Sequence, residues 1–108
     1  MSVVIPAYNQ QSEIREMLLA TESVLKTASI AAEIIVVDDG SVDDTARVAA
    51  ETPLSIPHQV IRYTPNGGKG RALIVGSEAA QGEWVAWIDA DLDLHPKYLP
   101  AFLATAVR

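Results

Sequence analysis

Four short apolar runs alternate along the chain with stretches whose apolar residues recur every three or four positions. Ser2-Val3-Val4-Ile5, ended by Pro6, predicts a buried strand running into a turn. From Gln11 onward, Ile14, Met17, Leu18, Thr21, Val24 and Leu25 fall at helical spacing while Glu13, Arg15, Glu16 and Glu22 take the other face. That is a first helix, with Asn9 or Ser12 expected as its cap. Glu33-Ile34-Ile35-Val36-Val37 is a second apolar strand, and Asp38-Asp39-Gly40-Ser41 follows it. Asp43 or Asp44 opens a short helix to about Glu51, where Pro53 stops it. Residues 59–63 form a shorter third strand between Pro57 and Pro65. The loop Asn66-Gly67-Gly68-Lys69-Gly70 then feeds a helix over 71–80, which Gly82 is expected to end. A fourth strand covers 83–88, with Trp84 and Trp87 assigned to the core. An acidic loop follows, and then a last helix from Pro96 with Tyr98, Leu99, Phe102, Leu103 and Ala106 on its apolar side.

Strand and helix alternating in this way predict an α/β fold: a Rossmann-like, mainly parallel sheet with helices on both faces. Such sheets bind ligands beyond the carboxyl ends of their strands. Each chemically suspicious loop falls at such an end: 6–10, 38–44, 66–71 and 89–93. No internal repeat, linker or low-complexity tract interrupts the pattern.

Composition narrows the function classes. The 108 residues suffice for one domain, and 49% hydrophobic with 20% charged residues is the balance of a folded protein. A formal net charge of −6 argues against nucleic acid as the main partner, since phosphate backbones select clustered Lys and Arg. The absence of Cys excludes disulfides, Cys-based zinc sites and thiol nucleophiles. No apolar run approaches the roughly 20 residues that span a bilayer. The first strand begins within a residue or two of Met1, leaving no room for a signal peptide. The expected location is therefore the cytoplasm, with any membrane anchor lying outside the sequence.

Asp89, Asp91 and Asp93 carry the sharpest chemical signal. In extended backbone, side chains at every second residue share a face, so the three carboxylates would point one way. Hard oxygen ligands at that spacing suit Mg²⁺ or Mn²⁺; the bland alternative is an acidic loop facing water. Asp38 and Asp39, at a strand end beside a helix start, are placed to accept hydrogen bonds from a ribose or a base N–H. The alternative is that one of them caps the helix. The loop 66–70 could cradle phosphate with backbone N–H groups while Lys69 supplies charge, or could be a simple turn. It is not a P-loop, because Gly70 stands where Ser or Thr should follow Lys69. Tyr8 could stack on a base or merely pack, and His95 could add a ligand or merely start a helix. His58 is assigned no role.

Taken together, Val3-Val4-Ile5-Pro6-Ala7-Tyr8-Asn9, Glu33-Ile34-Ile35-Val36-Val37-Asp38-Asp39-Gly40-Ser41, Asn66-Gly67-Gly68-Lys69-Gly70 and Asp89-Ala90-Asp91-Leu92 resemble, in order and spacing, the family 2 glycosyltransferases of the GT-A fold. The segment from Asp89 through Pro100 looks most like the polyprenyl-phosphate branch, the dolichyl-phosphate mannose and glucose synthases. The resemblance implies that Pro6, Tyr8 and Asp39 hold the base and ribose of a UDP- or GDP-sugar and that Lys69 and Gly70 lie beside the nucleotide. Ala7, Gln10, Asp38, Asp89 and Ala90 complete the implied nucleotide-binding set. Asp89 and Asp91 are the implied catalytic pair, holding Mg²⁺ or Mn²⁺ and the diphosphate, with Asp93 as a third metal ligand. Two departures stand out: Asp93 adds a negative charge where the branch often has Gln, and Gln10 replaces a usual Glu.

The implied reaction is inverting transfer of a hexose to an acceptor such as a polyprenyl phosphate, with the metal stabilising the leaving diphosphate. A lipid phosphate is already an anion and needs no general base; a sugar hydroxyl would need one. A family domain continues well past the acidic motif, so 1–108 is expected to be the nucleotide-binding half of a longer enzyme, prone to self-association through bare apolar surface. The competing classes are a receiver-like signalling domain, whose acidic cluster binds Mg²⁺ for phosphoryl transfer, and a nucleotide-binding fragment without turnover.

Overall fold

The computed structural model describes residues 1–88. Within them lie β1 (Ser2–Ala7), α1 (Ile14–Thr27), β2 (Glu33–Asp39), α2 (Thr45–Glu51), β3 (His58–Tyr63), α3 (Lys69–Ala79) and β4 (Val85–Trp87). The strands form one sheet in the order β3-β2-β1-β4, every pair parallel. β1 and β2 are central, and the apolar runs that predicted them are buried on both faces, as a covered parallel sheet requires. Val3, Ile5, Ile34 and Val36 pack with Ile14, Met17, Leu18 and Leu25 of α1 and Ala49 of α2. Val4, Ile35 and Val37 turn to the opposite face and pack with Ala72 of α3. The alternation of strand side chains thus assigns α1 and α2 to one layer and α3 to the other. The expected Rossmann-like sheet with helices on both faces is present.

Several boundaries differ from the sequence-based reading for identifiable reasons. β1 continues through Pro6, paired with Val37, to Ala7. The Ser2 amide donates to Trp84 O and Val4 O accepts from the Ile88 amide, so even-numbered residues of β1 present their polar groups toward β4. Pro6 shares that parity and lies beyond Val4, the last residue paired with β4 among the described residues, so its missing N–H removes no bond to β2. Neither Asn9 nor Ser12 caps α1: the Glu13 and Ile14 amides donate to the Gln10 carbonyl, at 3.0 and 2.9 Å. Helix α3 starts at Lys69, two residues before the expected start, and ends at Ala79. Gly82 serves another purpose, because its amide donates to Ser2 Oγ at 2.8 Å and a Cβ there would meet Met1 C at 2.7 Å.

Trp84 and Trp87 are not core residues, being 40% and 56% exposed. Among the described residues β4 is an edge strand, and only Ala86 and Ile88 turn into the layer beneath α1. Trp87 instead lies against α3, its indole Nε1 donating to Ser77 Oγ at 3.3 Å. The acidic loop 89–93, His95 and the last helix lie outside the described residues.

Candidate functional site at the carboxyl ends of the strands

The loops after β1, β2 and β3 meet at one end of the sheet and are joined by hydrogen bonds between residues far apart in sequence. The Asn9 amide donates to Ser41 Oγ at 2.8 Å, and Asn9 Oδ1 accepts from the Val42 amide at 3.0 Å. The Gln10 amide donates to Thr45 Oγ1, and the Asp44 amide donates to Gln11 Oε1. Asn9 adopts a left-handed backbone, φ 53°, to make this connection. Tyr8, between buried Ala7 and this junction, is 44% exposed.

The two adjacent aspartates divide their work. Asp38 is fully buried, its Oδ1 accepting from the Ser41 amide at 3.0 Å, and Arg62 Nε stands 3.4 Å from Oδ2. The same guanidinium donates to Ser41 O, so Asp38 and Arg62 together hold the turn after β2. Asp39 organises the loop after β3: its Oδ1 accepts from the Tyr63 hydroxyl and the Gly67 amide, and its Oδ2 from the Gly68 amide at 2.9 Å. Neither aspartate caps α2; Asp43 Oδ1 instead accepts from the Thr45 amide in its first turn.

These bonds bear on the two readings of the 66–70 loop, a phosphate cradle or a simple turn, for two of its amides. The Gly67 and Gly68 amides are already aimed at Asp39. Gly68 needs its residue type, at φ 91°, to bring its amide round to the carboxylate before α3 begins. Lys69 opens α3 and Gly70 follows in its first turn, where an added Cβ would meet nothing within 4 Å. Gly70 also borders a shallow, open depression of about 470 Å³ along α3 that includes Leu73, Ile74 and Trp87.

A cation completes the cluster. Arg71 lies over the Tyr63 ring, 4.3 Å from guanidinium carbon to centroid, a cation–π contact. Burial pushes the Asp39 carboxyl up, but the Tyr63 hydroxyl, the two glycine amides and the Arg71 charge outweigh it. Asp39 is held below its ordinary value and is ionised at neutral pH. Burial and the Asp39 carboxylate push the Tyr63 phenol up to about 12. Ser41, Tyr63 and Arg71 were given no role from the sequence, and Asn9 was expected only as a helix cap. Their roles depend on partners 24 to 33 residues away or on a ring contact, which no local pattern reports.

Of the expected site residues, Pro6, Ala7, Tyr8, Gln10, Asp38, Asp39, Lys69 and Gly70 all stand at this end of the sheet. Asp89, Ala90, Asp91 and Asp93 lie outside the described residues. The last described position, Ile88, directly follows β4, and its amide donates to Val4 O at 3.0 Å. Among the described residues no helix is long and apolar enough to cross a membrane, and no cluster of carboxylate or His side chains could hold a metal ion.

The family model for Glycosyl transferase family 2 matches residues 2–108. Among curated proteins, the chain is 38% identical over 108 residues to an undecaprenyl-phosphate 4-deoxy-4-formamido-L-arabinose transferase of Pseudomonas savastanoi pv. phaseolicola. That alignment covers 97% of this chain and 32% of the relative. Among solved structures, it is similar to S. aureus TarS 1-349 in complex with UDP-GlcNAc, with TM-score 0.76 and 33% identity over 96% of this chain and 30% of that one. It is also similar to glucosyl-3-phosphoglycerate synthase from Mycobacterium tuberculosis in complex with Mn²⁺, UDP and phosphoglyceric acid. There the TM-score is 0.75 and the identity 30%, over 97% of this chain and 38% of that one. The chain thus spans about a third of the length of the curated relatives it matches.

Proposed function

The chain belongs to glycosyl transferase family 2, and we propose that residues 1–108 form the nucleotide-sugar-binding half of an inverting glycosyltransferase that uses a polyprenyl phosphate as acceptor. The observation that carries this reading is Asp39: an ionised carboxylate at a parallel strand end, built into a loop rather than a helix cap. The relatives named as undecaprenyl-phosphate transferases support the lipid acceptor, and the neighbours in complex with UDP-GlcNAc or UDP support a nucleotide-sugar donor. The donor is a UDP- or GDP-sugar and the transferred group a hexose or a related sugar.

In this reading Asp39 accepts an N–H of the base or a ribose hydroxyl, Tyr8 offers its exposed ring for stacking, and Lys69 and Gly70 lie along the nucleotide. The open space at Gly70 lets a ligand approach the backbone closely. Asp89 and Asp91, with Asp93, are a hard-oxygen donor set that fits Mg²⁺ or Mn²⁺, and a neighbour crystallised with Mn²⁺ and UDP supports such an ion. Bound there, the cation would neutralise the diphosphate and stabilise it as leaving group. A phosphate acceptor attacks the anomeric carbon from the opposite face as an anion, so no residue of 1–88 is needed as general base. Such an acceptor brings the enzyme to the cytoplasmic face of a membrane.

The reading is tested by calorimetric titration of UDP-glucose, UDP-GlcNAc and GDP-mannose, with and without Mn²⁺, into wild type and Asp91→Ala. One donor should bind, and its binding should require both Mn²⁺ and Asp91. Binding indifferent to metal and to Asp91→Ala overturns the assignment. So does uptake of phosphate from acetyl phosphate onto an aspartate, the outcome that a receiver-like domain would give.

A further inference from the structure

Tyr63 is absent from every motif that pointed to the site, yet two of the site's charged groups touch it. Its hydroxyl donates to Asp39 Oδ1 and its ring lies beneath Arg71. A carboxylate offers about four lone-pair positions. On Asp39, Oδ1 receives Tyr63 and Gly67 while Oδ2 receives Gly68 alone, which leaves one acceptor position, on Oδ2. The stem of Arg71 is caught between the same partners, since a Cβ added at Gly67 would meet Arg71 Cβ and Cγ at 3.2 Å.

We propose that Tyr63 is a positioning residue for the nucleotide: its hydroxyl fixes the carboxylate so that the open acceptor on Asp39 Oδ2 faces the ligand, and its ring holds the Arg71 guanidinium beside it. The proposal rests on the donor-binding reading given above. One side chain couples the rotation of a carboxylate, the course of a glycine loop and the position of a cation. Without the hydroxyl, Asp39 is held only by one loop amide on each oxygen, Gly67 on Oδ1 and Gly68 on Oδ2, and its open acceptor is less firmly aimed at the ligand. The low position of the Asp39 carboxyl, which depends in part on this hydroxyl, accords with that role.

Two variants separate hydroxyl from ring. Tyr63→Phe removes the hydroxyl and keeps the platform under Arg71; Tyr63→Leu removes both. UDP and GDP, each with Mn²⁺, are titrated into the full chain, and exchange of the Gly67 and Gly68 amides is followed by NMR. For the nucleotide that wild type binds, Tyr63→Phe should raise Kd about tenfold and speed exchange of both amides. KM for the matching nucleotide sugar should rise in step while kcat stays within twofold, because the role is in placing the donor. Tyr63→Leu should weaken binding further. A Tyr63→Phe variant with wild-type Kd and wild-type amide exchange overturns the role of Tyr63 alone. A folded wild type that binds neither nucleotide overturns the donor-binding reading and this role with it.

Discussion

Asp39 and Gly68 are 29 residues apart in sequence and joined by a 2.9 Å hydrogen bond from the Gly68 amide to the carboxylate. A strand end thereby dictates where the next helix begins, because α3 starts at the residue after Gly68. Asp39→Ala removes the acceptor for the Gly67 and Gly68 amides and the Tyr63 hydroxyl together. The glycine amides lie at the surface and can turn to water, so the loss should be about 2 kcal/mol rather than the sum of three charged hydrogen bonds. Urea denaturation reads that loss, and faster hydrogen exchange confined to 66–70 locates it.

The glycines give a graded series. Gly40 has φ 72° and a Cβ there would stand 2.7 Å from the Asn66 amide nitrogen, so Gly40→Ala meets both backbone strain and a clash with backbone. A cost of about 2–4 kcal/mol follows from adding left-handed strain to overpacking. Gly76→Ala drives its methyl into Val4 and Val37, where α3 rests on the sheet, and should cost about 1–3 kcal/mol. Gly70→Ala adds a methyl in open space on a helix and should stabilise the fold by about 0.5–1 kcal/mol. The same methyl should weaken nucleotide binding if Gly70 lies along the ligand, so thermal melts and titration on this one variant should move in opposite directions.

The sheet was legible in the sequence because β1 and β2 are covered on both faces, and such strands are continuous Val and Ile runs. The tryptophans misled because apolarity says nothing about whether a strand is central or at an edge, and β4 is at an edge among the described residues. The cap of α1 misled for a related reason. Asn9 has the right chemistry and is near the right place, but its oxygen accepts from Val42, 33 residues on. Loop chemistry was legible as a set of residue types at strand ends. Which carboxylate bonded which amide was not, since that depends on how β2 and β3 lie side by side. Alternation marked Asp89, Asp91 and Asp93 as a group, and those positions lie outside the described residues.

Two titrations of opposite sign bracket the stability of the site. The Asp39 carboxyl is lower in the folded chain than its ordinary 3.8, so its contribution is complete above pH 3.8 and is lost as the pH falls through the depressed folded value. The Tyr63 phenol is higher in the folded chain, about 12 against 10.0, so its contribution is complete below pH 10 and is lost as the pH rises toward 12. Asp39→Asn removes the carboxylate from both. In that variant the acid-side loss of stability should shrink, and the Tyr63 titration, followed by ultraviolet absorbance, should move down toward 10.0. An unshifted phenol in Asp39→Asn would show that burial alone raises it.

Asn9 separates backbone from side chain in the junction of the first two loops. Its φ of 53° favours Gly or Asn, and its Oδ1 accepts from the Val42 amide at 3.0 Å. Asn9→Gly keeps the conformation and loses the bond. Val42 is 89% exposed and its amide can turn to water, so the cost should stay near 0.5–1 kcal/mol. Asn9→Val loses the bond and adds left-handed strain for a β-branched residue, a further cost of about 1–2 kcal/mol. Tyr8 is the preceding residue, and in the proposed function its ring stacks on the base. Both variants should therefore weaken nucleotide binding several-fold, though only Asn9→Val should lower the urea midpoint appreciably. Equal midpoints for the two would mean that the Val42 bond, not the backbone conformation, is what this position contributes to the fold. Unchanged binding in Asn9→Gly would mean that the first loop holds Tyr8 in place without it.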